Sequence, residues 1–103
     1  MALEAPTALR LDYEGDPGTY YLQFTGVASA VYYRAYCSPL STVSKTVYTV
    51  LKRWTATGGA VADSIILDTL PDWPHVHVVM TASDVNDANE SAASATASIE
   101  LSL

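Results

Sequence analysis

Seven short stretches of alternating or near-continuous apolar residues, each closed by turn chemistry, fill this chain almost from end to end. Strand-length segments at such regular spacing point to a small antiparallel β-sandwich. So much of the chain is committed to strands that little remains for a catalytic apparatus.

A chain of 103 residues matches the commonest size for one domain with one core, so residues 1–103 read as a single domain. Half of the residues are hydrophobic and 16% are charged, the composition of a packed globule. Eleven acidic against five basic side chains give a net charge of −6, which repels phosphate backbones and anionic lipid surfaces. Neither nucleic acid nor a membrane is an expected partner. Residues 1–6 lack a basic and an apolar stretch of the secretory kind, and no run approaches the roughly 20 apolar residues of a membrane-spanning helix. Synthesis in the cytoplasm is the expectation. Cys37 is the sole cysteine, so no intrachain disulfide forms, and it reads as a small buried apolar residue.

Strands are predicted at 7–13, 19–27, 30–38, 46–55, 62–69, 75–83 and from the polar loop 84–91 to residue 103. Alternation puts Leu9, Leu11 and Tyr13 on one face of the first strand and Tyr20, Leu22 and Phe24 inward on the second. On the third, Val31, Tyr33, Ala35 and Cys37 share a face opposite Tyr32, Arg34 and Tyr36. Arg34 decides the orientation, because an unpaired buried guanidinium is prohibitive. The fourth strand is apolar on both faces, and its register stays open. Turns fall at 14–18, 26–29 and 57–59, and two prolines make 70–74 a corner. The alanine-rich run 91–98 alternates into Ile99 and Leu101, which favours a strand over a helix.

Leu70-Pro71, the alternating Val76 and Val78 leading to Met80-Thr81-Ala82, and Asn89-Glu90-Ser91 with Ser94 resemble the second half of a fibronectin type III domain. Ala5-Pro6 and Tyr32-Tyr33-Arg34 are similar to the family as well. The likeness implies an all-β, seven-stranded antiparallel β-sandwich of fibronectin type III or immunoglobulin-like kind. Three departures stand out: Val76 replaces the corner tyrosine, Phe24 replaces the tryptophan of the second strand, and the last hairpin is about two residues longer than the pattern.

Two constellations could hold a metal ion. Asp84, Asp87 and Glu90 supply oxygen donors of the calcium type, in a loop without EF-hand spacing that equally suits a hairpin turn. His75 and His77 project from one strand face as a zinc pair could, with no further ligands in evidence. These weigh toward no metal and no cofactor. No nucleophile elbow exists, and no acid stands ready to orient a histidine, so the chain is read as non-catalytic.

If the third and sixth strands are neighbours, as in this family, Tyr32, Arg34, Tyr36, His75, His77 and Val79 share one outer face. Tyrosine and arginine are enriched in protein interfaces. Free-standing sandwiches of this type look like those on tailed-phage particles. The expectation is therefore a virion structural or decoration protein of a phage, made in the host cytoplasm, that docks through this face onto a capsid or tail protein or onto further copies of itself. The alternative is a carbohydrate-binding or adhesion module in which Tyr36, Tyr48 or Trp54 stacks on sugar rings.

Overall fold

The structure, a computed structural model, describes residues 4–13, 19–27, 30–56, 62–67, 70, 73–84 and 90–100. The predicted turns at 14–18 and 57–59, Ala28-Ser29, Pro71-Asp72 of the corner, Asp87 and residues 101–103 lie outside them. The described residues contain seven strands: β1 (Thr7–Tyr13), β2 (Tyr20–Thr25), β3 (Tyr32–Ser38), β4 (Val50–Thr55), β5 (Ala62–Leu67), β6 (His75–Ser83) and β7 (Ala97–Glu100). They form two antiparallel sheets, of order β1-β2-β5 and β4-β3-β6-β7. None of the described residues is helical, so none forms a helix long and apolar enough to cross a membrane.

The core lies between the sheets and follows the alternation read from the sequence. Leu11, Tyr20, Leu22 and Phe24 of the first sheet meet Tyr33, Ala35, Cys37, Val76, Val78, Met80 and Ala82 of the second, all buried. Leu70 at the corner packs into the same cluster. The Tyr33 hydroxyl accepts a hydrogen bond from the Val27 backbone N–H at 2.9 Å, which gives the only polar atom of that side chain a partner.

Three local features depart from the predicted pattern, and two of them have identifiable causes. The fourth strand begins at Val50 rather than at residue 46, because Ser44 Oγ accepts the N–H groups of Thr46 and Val47 at 3.2 and 3.0 Å. That side-chain turn takes donors a ladder would need. The register of β4, open in the sequence, pairs Val50, Lys52 and Trp54 with Cys37, Ala35 and Tyr33 on the inner side, and Leu51, Arg53 and Thr55 with the outer residues of β3. An inward lysine on an edge strand discourages pairing with a further strand.

The alanine-rich run is not a helix, but only Ala97–Glu100 of it is a regular strand. Ser91 and Ser94 donate their N–H groups to the carbonyls of Ala82 and Met80, while their hydroxyls accept the N–H groups of the same two residues, each within 2.8–2.9 Å. Hydroxyls thus stand in for backbone carbonyls along β6, and a serine every third residue satisfies a strand that pairs every second.

In β1 the register shifts by one residue between Thr7 and Arg10, and Ala8 sits at φ 54°. That left-handed conformation costs an alanine roughly 1–2 kcal/mol. Ala8→Gly is therefore expected to stabilise the fold by about 0.5–1 kcal/mol after the entropy lost by glycine is counted. Urea melts read this directly, and a lowered midpoint would contradict it.

Candidate functional site

The outer face of the four-stranded sheet is made by alternate residues of its strands. Register sets Leu51, Arg53 and Thr55 beside Tyr36, Arg34 and Tyr32, and these beside Val79, Thr81 and Ser83. Farther along β6, His75 and His77 stand opposite Glu100 and Ser98 of β7. Tyr32, Arg34, Tyr36, His75, His77 and Val79 do share one face, as the sequence led one to expect.

That face is not open. The connection 39–49 crosses it, and Val43 packs on Tyr36 and Val79 in an apolar cluster separate from the core, leaving the three side chains 6, 4 and 3% exposed. Tyr48 sets its ring edge-to-face on Tyr36 at 5.0 Å, and Lys45 Nζ donates to the Ser91 carbonyl at 3.0 Å. The expected contact surface is thus corrected at Tyr36 and Val79. An aromatic and a valine exposed together on a sheet have drawn a strap of the chain over themselves, since burying both removes apolar area from water.

Beneath the strap, one carboxylate gathers the polar groups. Glu90 Oε2 accepts from the Tyr36 hydroxyl, from Thr81 Oγ1 at 2.6 Å, and lies 3.4 Å from Arg34 Nη1. Burial raises the Glu90 carboxyl, but the hydrogen bonds of Thr81 and Tyr36 and the charge of Arg34 outweigh it and hold the group below the usual carboxylate range. Burial and the neighbouring Glu90 together push the Tyr36 phenol up, against the opposing influence of Arg34. Arg34 and Glu90 are about four-fifths covered, so this is an ion pair with real desolvation rather than a surface one.

This arrangement bears on the calcium reading. Glu90 is turned onto the sheet toward three donors, and a cation there would face a guanidinium; Asp84 is half-buried and Asp87 lies outside the described residues. Among the described residues no three His, Cys, Asp or Glu side chains are grouped so as to hold a metal ion. His75 and His77 stack nearly parallel, 13° apart with ring centres at 6.4 Å, and His77 Nδ1 is 2.6 Å from Ser98 Oγ. Ser98 and Glu100 beside this pair were not singled out from sequence, because only register brings β7 there. The serine–histidine contact is exposed to water, where a developing oxyanion gains no preorganised environment. Burial pushes the Cys37 thiol up to about 12, so it is no nucleophile at neutral pH.

The sugar-stacking trio does not form a platform. Trp54 faces inward and packs on Phe24 and Tyr33 at 6.2 and 6.0 Å between ring centres, and its buried Nε1 has no acceptor among the described residues. Tyr36 lies under the strap. Only Tyr48 remains exposed, at 43%. The physical reason is the register of β4: Trp54 sits opposite the inward Tyr33, and cross-strand partners share a face.

What is exposed lies elsewhere. Among the described residues the large exposed apolar side chains are Leu40, Val47, Tyr48, Leu51 and Ile66, and all but Ile66 belong to the strap and the start of β4. Beside them Arg53 lies over the Tyr32 ring at 4.0 Å. Of these, the sequence reading names Tyr32 and Tyr48 as site residues and places Val47 and Leu51 on a face of the fourth strand, but does not single out Leu40 or Arg53. Leu40, alone between Pro39 and Ser41, belongs to no periodic run, so the pattern that finds strands passes over it.

No protein-family model and no curated protein matches the chain. Solved structures do. The chain superimposes over its whole length on all of a Fn3-like protein from Clostridium thermocellum, with a TM-score of 0.67 at 19% identity. It matches FN3tt at a TM-score of 0.67 and 17% identity, covering 97% of this chain and 95% of that one. A structure described as a myokine matches at 0.63 and 12% identity over 99% of this chain and 100% of the other. The fold is therefore fibronectin type III-like: an all-β sandwich of seven antiparallel strands in sheets of three and four.

Proposed function

We propose that the chain is a non-catalytic docking module, and that it attaches to a larger protein lattice as a small structural or decoration protein of a tailed-phage particle would. The observation behind this reading is the concentration of exposed apolar side chains on one twelve-residue stretch, Leu40, Val47, Tyr48 and Leu51, whereas among the described residues Ile66 is the only large apolar side chain exposed elsewhere. Apolar side chains gathered on one side of a small soluble domain mark a contact surface more often than scattered ones do. The docking surface is accordingly the strap and β4 edge, with Tyr32 and Arg53 at its margin. Tyr36 and Val79 act beneath it by holding the strap in place.

The test uses particles purified through a density gradient from a lysate of the encoding genome. The chain should travel with them, and the double change Tyr48→Ser with Leu51→Ser should remove it from the particle fraction while the chain stays folded, its melting midpoint lowered by no more than about 10 °C through loss of the Tyr48–Tyr36 ring contact. Absence from particles, together with glycan-array binding that Tyr48→Ala abolishes, would establish the carbohydrate reading instead.

A further inference from the structure

One end of the outer face is not buried by the strap. Val79 lies beneath it, but His77, next along β6 on that face, is half-buried and His75 is exposed. Alternate residues of a strand project to the same side, so the two imidazoles stand over one patch, with ring centres 6.4 Å apart. His77 is already aimed. Its Nδ1 lies 2.6 Å from Ser98 Oγ, and in the tautomer whose Nδ1–H donates to the serine, Nε2 keeps a lone pair for another partner. Histidines that bind metal are oriented in this way, through a polar neighbour on the ring nitrogen that does not face the ion.

Register sets the charge around the pair. Glu100 of β7 is exposed and stands directly opposite His75, where cross-strand partners hold their Cβ atoms about 4.5–5.5 Å apart. On the β3 side, His77 pairs with Ser38 and Thr81 with Arg34, so four residues of strand, about 13 Å in all, separate the guanidinium from the histidines. That distance exceeds one Debye length, ~8 Å at physiological salt, and Arg34 is paired with Glu90. The local charge therefore favours a cation.

We propose that His75 and His77 form a surface site for one divalent transition-metal ion, with copper(II) held most tightly. Imidazole suits copper, nickel and zinc, and among these ions a nitrogen site binds copper(II) most strongly. Calcium and magnesium take oxygen ligands and gain nothing from the pair. Among the described residues the grouping is of two such donors rather than three, so water fills the remaining positions. With metal–nitrogen bonds of about 2.1 Å the rings must close on one another by about 1–2 Å; the exposed His75 makes that movement while Ser98 holds His77.

The experiment is calorimetric titration of the purified chain with copper(II) sulfate, followed by electron paramagnetic resonance of the loaded protein. Saturable binding of one ion per chain is expected, with nitrogen hyperfine splitting in the spectrum. His75 and His77 are the two histidines of the sequence, so an imidazole signature has no other source. His75→Ala and His77→Ala should each weaken binding more than tenfold, beyond the effect of a lost outer partner, and Ser98→Ala by about tenfold. Exposed substitutions of this kind should leave the metal-free melting midpoint within a few degrees of the parent, which separates lost ligation from lost folding. A roughly hundredfold excess of calcium should leave the copper in place. No saturable binding by the parent chain overturns the proposal. So does binding that calcium displaces, or whose strength and spectrum survive in the double variant His75→Ala with His77→Ala, since either result would assign the ion to carboxylates.

Discussion

Trp54→Ala is expected to lower the stability of the domain by about 3 kcal/mol, a shift of roughly 12–20 °C in melting midpoint for a chain this size, rather than to blunt a binding surface. The indole packs on Phe24 and Tyr33 and closes the sandwich at the β4 edge. Removing it takes away the transfer energy of a large aromatic and leaves a gap that two rigid rings cannot fill by sliding. The figure sits at the lower end for tryptophan because the residue is half-buried rather than fully enclosed. Trp54→Phe should recover most of the loss, since the Nε1–H has no acceptor among the described residues to forfeit. A melting midpoint within a few degrees of the parent for the alanine variant would show that Trp54 faces water. The sugar-stacking role would then return.

The second large effect is expected at Glu90, where Glu90→Gln should cost about 2 kcal/mol at neutral pH, the range for hydrogen bonds to a charged group. Three donors converge on one carboxylate oxygen, and an amide removes the Glu90 charge from beside the largely covered Arg34 guanidinium. The pH dependence follows from direction alone. The native carboxyl titrates below its unfolded value of about 4.3, so the stabilisation is complete above that value and is lost as pH falls through the lower native one. Tyr36 works the other way. Its phenol is raised above about 10 in the native state, so that contribution is complete below 10 and is lost as pH rises through the raised value. Urea melts across pH should show a stability profile that falls at both ends, with the acid limb shallower in Glu90→Gln and the alkaline limb shallower in Tyr36→Phe. An acid limb unchanged by Glu90→Gln would mean that the cluster holds no net energy.

Legibility in the sequence differed sharply between the core and the surface. The inward faces of β2, β3 and β6 were readable because period-two alternation has one interpretation when one side is buried. Tyr20, Leu22, Phe24, Tyr33, Ala35, Cys37, Val76, Val78, Met80 and Ala82 are buried as read. Arg34 gave the outward direction of β3 without ambiguity. By contrast β4 is apolar on both faces, and its register followed only from pairing with β3. With the register open, Trp54 fits the outer surface of the sugar-stacking alternative as well as the core, because a shift of one residue exchanges the two faces of a strand, and pairing with Tyr33 decides for the core.

The outer surface was half legible. The six residues expected together do share a face, yet which of them meet water depends on where eleven residues of connection lie, and no local pattern states that. Ser41 to Lys45 read as a polar link because most of its side chains are polar. Val43 is its one apolar anchor, beside the Lys45 hydrogen bond to the Ser91 carbonyl, and a single valine is no periodic signal. Glu90 reads as a loop ligand for a cation and is instead the acceptor for β3 and β6, since Tyr36, 54 residues away, and Arg34 are adjacent to it only in space.

The order of turns and alternating segments by itself determined a two-layer β-sandwich with the core residues named above, because burial of one face per strand is a local, repeating constraint. Tertiary structure alone decided the register of β4, the strap over Tyr36 and Val79, and the gathering of Arg34, Tyr36 and Thr81 on Glu90. Each of these is a contact between segments distant in sequence, whose free energy depends on three-dimensional neighbours and leaves no period behind.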